Sequence, residues 1–126
     1  MIVLDTSALI AILKDEPEAE RCLAALHPTE TILMSGGTLA ELLVVGERLG
    51  KQAAILDLLA GLQAEIVPVT IEQAYDVSTA YRQWGKGIHP AGLNFGDCFA
   101  YALARRRACP LLFVGQDFAK TDVQVA

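Results

Sequence analysis

Four short apolar runs, separated by segments of helical periodicity, constrain this chain more than any other feature. Ile2 to Leu4, Thr31 to Met34, Glu65 to Val69 and Leu111 to Val114 are rich in Val, Ile and Leu and read as strands. Strands that alternate with helices imply a parallel sheet with helices against its faces, so the expected class is α/β. Ser7 to Leu13 carries Leu9, Ile10 and Leu13 at helical spacing, after an Asp5-Thr6-Ser7 stretch able to cap it. Glu18 to Leu26 follows Pro17 and stops before His27-Pro28, which makes a helical hairpin after the first strand. Further helices are expected over Thr38 to Leu49, ended by Gly50, then over Gln52 to Leu62 and Ile71 to Trp84. On the last of these, Ala74, Val77, Ala80 and Tyr81 share one stripe. Gly85 to Leu93 holds three Gly and one Pro, too punctuated for regular structure, and leads to Asn94 as the cap of a helix over Phe95 to Arg107.

A length of 126 residues suits one domain, 1–126, built on one hydrophobic core. The chain is 53% hydrophobic, too apolar for disorder, yet no apolar stretch approaches the ~20 residues needed to span a bilayer. Met1-Ile-Val-Leu-Asp5 has no basic leader and no cleavage site, so the expected location is the cytoplasm, without membrane attachment. Cys22, Cys98 and Cys109 are odd in number and widely spaced, with only His27 and His89 as imidazoles. That excludes a disulfide framework and argues against a zinc site. The formal net charge of −5 speaks at first against a polyanionic partner. Most of that charge belongs to four acids considered next; without them, 10 basic residues face 11 acidic ones.

Asp5 ends the first apolar run and Asp117 follows the last, so both lie just past strand ends, where open parallel sheets bind ligands. Glu41 and Asp97 interrupt apolar helical segments, where a charge is costly unless compensated. Carboxylates gathered without a cation repel one another and take up protons. Hard cations such as Mg2+ or Mn2+ prefer oxygen ligands, and an ion held by Asp5, Glu41, Asp97 and Asp117 would activate water against a phosphodiester. Each acid alone has a plainer explanation. Asp5 and Asp97 could cap helices, Glu41 could be solvated, and Asp117 in Gly115-Gln116-Asp117 could be a turn residue. It is the constellation that points to a metal-dependent hydrolase.

Other residues are weaker candidates. Thr6 and Ser7 could contact a metal-bound water or phosphate, or simply cap a helix. Arg105, Arg106 and Arg107 suit a helix C-terminus, with phosphate contact as the lesser alternative. Lys14, Arg82, Lys86 and Lys120 read as surface charge that could line an RNA groove. Trp84 reads as a packed edge residue, and His89 has no evident catalytic partner.

Four stretches together resemble the PIN-domain ribonucleases, and within them the VapC-type toxins of bacterial toxin–antitoxin pairs. They are Met1-Ile-Val-Leu-Asp-Thr-Ser-Ala-Leu-Ile, Ser35 to Glu41, and the pair His89 to Ala104 with Leu111-Leu-Phe-Val-Gly-Gln-Asp-Phe-Ala-Lys-Thr-Asp122. The resemblance implies a PIN-like three-layer α/β/α sandwich with a central parallel sheet. It also implies a metal-dependent endoribonuclease that uses Mg2+ with Mn2+ as substitute, with Asp5, Glu41, Asp97 and Asp117 as the acidic set and Asp122 as a rival for the fourth place. A VapB-type antitoxin covering the site and a homodimer built on helical faces are implied as partners, and RNA as substrate. Two alternatives remain open at this point. A Mg2+-dependent phosphatase with an aspartyl nucleophile would want a second acid where Ser7 stands, and a non-catalytic module could keep the fold without the chemistry.

Overall fold

The computed structural model describes residues 1–126. Strands β1 (Ile2–Leu4), β2 (Ile32–Ser35), β3 (Glu65–Val67) and β4 (Leu111–Leu112) form one sheet in the order β3-β2-β1-β4. All three pairings are parallel. The chain moves outward from β1 through β2 to β3, then returns to place β4 on β1's other edge. The strand order therefore reverses between β1 and β4, the kind of crevice where ligands bind in open α/β sheets. Beyond β4, Leu111 also pairs with Val125, so the C-terminal residues cover that edge.

Alternation along the strands divides the core. Val3, Leu33 and Leu111 point to one face, where they pack with Val77 and Ala80 of α5 (Ile71–Trp84) and with Cys98 through Ala104 of α6 (Phe95–Arg107). Ile2, Leu4, Ile32, Met34 and Leu112 point to the other. There they meet Ala8 and Leu9 of α1 (Thr6–Leu13), Cys22 of α2 (Ala19–Ala25), Leu42 of α3 (Gly36–Leu49), and Ile55 and Leu59 of α4 (Gln52–Leu62). Helices on both faces make the three layers, an α/β/α sandwich as the sequence resemblance implied. No helix is long and apolar enough to cross a membrane.

The strands are shorter than their apolar runs. β3 stops at Val67 because Pro68 cannot donate to a ladder, and β4 stops at Leu112 because the Val114 amide turns away to Ser7. Helix α3 begins two residues earlier than expected, since Ser35 caps it by accepting from the Gly37 amide. The stripe read on α5 is half right. Val77 and Ala80 are buried, whereas Ala74 and Tyr81 are exposed and Gln73 is buried in their place. Gln73 tolerates burial because its amide donates to Asp76, which also holds Arg106 at 2.6 Å. All three cysteines are buried free thiols.

Helix α6 is the most enclosed element, with five consecutive buried residues from Ala100 to Ala104 between α5 and the sheet. Leu103→Ala removes a side chain only 1% exposed, and partial collapse of the site sets the cost at about 2–5 kcal/mol. Denaturant titration should show a lower midpoint by that amount with an unchanged slope.

Candidate metal and active site

Asp5, Ser7, Asn94, Asp97 and the Val114–Phe118 segment line one cavity of about 260 Å3 at the carboxyl ends of β1 and β4. Three of the four acids singled out in the sequence thus meet at the reversal point of the sheet. Asp5 is 3% exposed and caps α1: its Oδ2 accepts from the Ser7 amide at 3.0 Å and from the Ser7 hydroxyl at 2.6 Å. Its Oδ1 is buried with no donor. Asp97 completes a capping box with Asn94, accepting from the Asn94 amide at 3.0 Å while Asn94 Oδ1 accepts from the Asp97 amide at 2.8 Å. The capping explanation for Asp5 and Asp97 is therefore correct as far as it goes, and it fixes both carboxylates in the cavity wall.

Glu41 approaches from α3. Its Oε1 accepts the Thr6 hydroxyl at 2.7 Å, and its carboxylate lies so close to Gly96 that a Cβ there would come within 1.8 Å of Oε2. Only a glycine leaves room for this approach. Asp117 stands ahead of the short 3-10 turn Phe118–Lys120 and is more exposed than the other three. Asp122, the rival for the fourth place, is engaged elsewhere. Tyr101 donates its hydroxyl to Asp122 at 2.5 Å, Trp84 Nε1 donates to the Tyr101 oxygen at 2.9 Å, and Arg105 stands 3.6 Å away.

The hydroxyls of Thr6 and Ser7 are committed to acids rather than free for a phosphate. Ser7 does more: its oxygen accepts the Val114 amide at 3.0 Å while its proton goes to Asp5. One residue earlier, the Phe113 carbonyl accepts from Arg21 of α2 at 2.9 Å. The α1–α2 hairpin thus grips the chain leaving β4 and positions the segment that carries Asp117. Sequence reasoning missed Arg21 and Gly96. Nothing local marked Arg21; the signal for Gly96 was a glycine inside a helix, costly unless something approaches closely. The other basic candidates lie outside this cavity: Arg105 and Arg106 pair with Asp122 and Asp76. Trp84 is a packed, hydrogen-bonded side chain, with His89 against its ring at 4.7 Å.

Burial raises Asp97 from 3.8 to about 6, and the charges of Asp5, Glu41 and Asp117 push the same way. Burial likewise raises Asp5, against the lowering effect of the Ser7 bonds. No three of the acids already close a ligand cage by themselves. The donor set nevertheless fits a hard divalent cation. It is all oxygen, it includes an orphaned buried Asp5 oxygen, and it holds mutually repelling carboxylates that a cation would relieve.

Residues 2–124 match the PIN domain family. The chain belongs to that family. Ribonuclease VapC30 of Mycobacterium tuberculosis is 47% identical to this PIN domain over 125 residues, covering 97% of this chain and 95% of the relative. A solved structure described as VapC20 of Mycobacterium tuberculosis, a sarcin–ricin loop cleaving toxin, has the same fold. Its TM-score is 0.77 at 17% identity, with 100% of this PIN domain and 98% of that chain covered. A chain of a toxin–antitoxin complex from Klebsiella pneumoniae superposes with a TM-score of 0.76 at 20% identity, covering 100% and 97%.

Because Asp97 and Asp5 have raised pKa values, the metal-free native state keeps protons that the unfolded chain has already released. The Asp97 contribution to stability is greatest below about pH 4 and is lost as pH rises through about 6, and the raised Asp5 acts in the same direction. Asp97→Asn removes the Asp97 share of that dependence. Melting temperatures measured in EDTA from pH 4 to pH 7 should fall for wild type relative to Asp97→Asn, and parallel curves would contradict a raised Asp97 pKa.

Proposed function

We propose that this PIN domain is a metal-dependent endoribonuclease toxin of a type II toxin–antitoxin pair, hydrolysing RNA phosphodiesters with Asp5, Glu41, Asp97 and Asp117. The observation that carries the reading is the meeting of Asp5, Asp97 and Asp117 in one cavity, with Glu41 seated against its wall. A relative 47% identical over nearly the whole chain bears the name ribonuclease, which favours RNA over other phosphodiesters. Mg2+ is the proposed ion, with Mn2+ as substitute, held by Asp5 and Asp97 and supported by Glu41 and Asp117. When bound, such an ion supplies an activated water and neutralises charge gathering on the phosphate. The chain's own residues do the rest. Ser7 fixes the Asp5 rotamer, Thr6 fixes Glu41, and Asn94 holds Asp97 at the N-terminus of α6, whose dipole favours an anion there.

Ser7 stands where an aspartyl-nucleophile phosphatase would place a second acid, and its hydroxyl is spent on Asp5, which favours the nuclease reading. The proposed partner is a small VapB-type antitoxin that sets an Arg among the carboxylates, since a guanidinium brings fixed positive charge and pairs with them bidentately. The fold it shares with a chain of a solved toxin–antitoxin complex supports that assignment. A homodimer is the proposed assembly. The compartment is the cytoplasm, where three buried free thiols stay reduced.

Cleavage of RNA by the purified chain should require Mg2+ or Mn2+, stop on adding EDTA, and fail with Ca2+, whose larger size relaxes the octahedral geometry. Asp5→Asn and Asp97→Asn should abolish cleavage without unfolding the protein, with Glu41→Gln close behind and Asp117→Asn milder. Full activity in either of the first two variants, or cleavage that persists in EDTA, contradicts the assignment. Gly96→Ala should reduce cleavage at least tenfold by displacing Glu41, while circular dichroism stays that of wild type; a loss of this order reflects about 1.4 kcal/mol of transition-state stabilisation.

A further inference from the structure

Phe95 opens α6 two residues before Asp97, yet it is 71% exposed, an unusual place for a large apolar ring. It forms a ridge between two open depressions. One, of about 570 Å3, has Val77, Tyr81, Lys86 and Cys98 in its wall. The other, of about 440 Å3, has Glu41, Val44, Arg48 and Phe99 in its wall. Phe99 braces the ridge edge-to-face, with ring centroids 4.9 Å apart and planes at 82°. Phe99 can lie there because residue 37 is glycine, where a Cβ would come within 2.2 Å of its ring. The shelf is therefore built into the core and is continuous with the acidic site through Glu41 and Gly96.

We propose that Phe95 is a nucleobase-stacking ridge, over which single-stranded RNA passes with a base in one or both depressions and its phosphates near Arg48 and Lys86. This inference rests on the nuclease reading and names the form of its substrate. The chemistry of the two basins fits a nucleotide. Each offers an aromatic or aliphatic wall for a base and one cation for a phosphate, and neither Arg48 nor Lys86 belongs to an ion pair. Proteins hold single strands by this combination, because every base has a π face and stacks without regard to sequence. The basins also flank the carboxylates on the α6 side, so a base stacked on Phe95 places the neighbouring phosphate toward Asp97. Phe95 is a positioning residue in this scheme, since it touches the substrate away from the reacting atoms.

The test uses an end-labelled, single-stranded oligoribonucleotide, with binding read by fluorescence anisotropy in EDTA and cleavage read separately with Mg2+. Phe95→Ala and Phe95→Leu should each weaken binding and raise KM about tenfold with kcat nearly unchanged, whereas Phe95→Trp should keep wild-type affinity. Leu retains apolar bulk but lacks the π face, so it separates stacking from simple burial, and thermal melts exclude unfolding. An abasic site beside the cleaved bond should cost wild type the same factor and cost Phe95→Ala nothing more, the signature of two groups that act only on each other. Equal binding by wild type, Phe95→Ala and Phe95→Leu overturns the proposal. So does an outcome in which these variants keep their KM but lose self-association or a protein partner, because the ridge then serves a protein. If wild type binds the oligonucleotide through Phe95 but never cuts it, the nuclease reading fails and the ridge stands; if wild type neither binds nor cuts, both fail.

Discussion

Mutual repulsion among carboxylates held in a partly buried cavity is the constraint around which this fold is arranged. Asp5 is almost fully enclosed, and Asp97 is raised to about 6 by burial together with three neighbouring acids. A chain left to itself would separate such charges. Here the separation is prevented by covalent topology: Asp5 is the residue after a central strand, and Asp97 is locked into a helix whose next residues fill the core. Local hydrogen bonds then hold each carboxylate in place. Ser7, Thr6 and Asn94 are each committed to a different acid, so the cluster is held by short polar contacts on top of an apolar scaffold.

That arrangement gives several residues two roles. Asp97 caps α6 and faces the cavity, Asp5 caps α1 and leaves one oxygen orphaned, and Ser7 ties Asp5 to the exit of β4. Capping and site function are often treated as rival explanations of a helix-terminal acid. In this fold a cap and a place in the cavity wall coincide, because the N-termini of α1 and α6 meet at the strand-order reversal and a carboxylate is favourable at each. The metal-free cluster costs stability at neutral pH, and a cation or a guanidinium offsets that cost by supplying positive charge. The same physics explains why an acidic protein can act on a polyanion: the charges that would repel RNA are those a divalent ion neutralises.

Around the acids the surface changes character. Phe95, Val44, Tyr75 and Ile71 expose apolar area on α6, α3 and α5, whereas the acidic cavity has the polar turn from Gly115 to Asp117 in its wall. This asymmetry follows from α6 beginning at the surface and running inward, so that its first turn is open and its second is core. Glycine at 37 and at 96 lets Phe99 and Glu41 press against neighbouring backbone.

The sequence by itself determined the class of fold, because four apolar runs alternating with amphipathic segments can be buried on both faces only as a helix-covered parallel sheet. It also marked Asp5, Glu41, Asp97 and Asp117, since a charge inside an apolar segment or just past a strand end stands out locally. Helix boundaries over Gln52–Leu62, Ile71–Trp84 and Phe95–Arg107 were legible for the same reason, each being set by a nearby cap or breaker. What only the tertiary structure decided depends on distant partners. Asp117 lines the cavity with Asp5 and Asp97, whereas Asp122 accepts from Tyr101 and faces Arg105, a difference set by residues distant in sequence. The grip of Ser7 on Val114 spans 107 positions and that of Arg21 on Phe113 spans 92, beyond any local pattern. Exposure of Ala74 and Tyr81 on a helix stripe that looked continuous was likewise set by what packs against α5. Periodicity reports which side chains share a face; it carries no information on how much of that face a neighbour will cover.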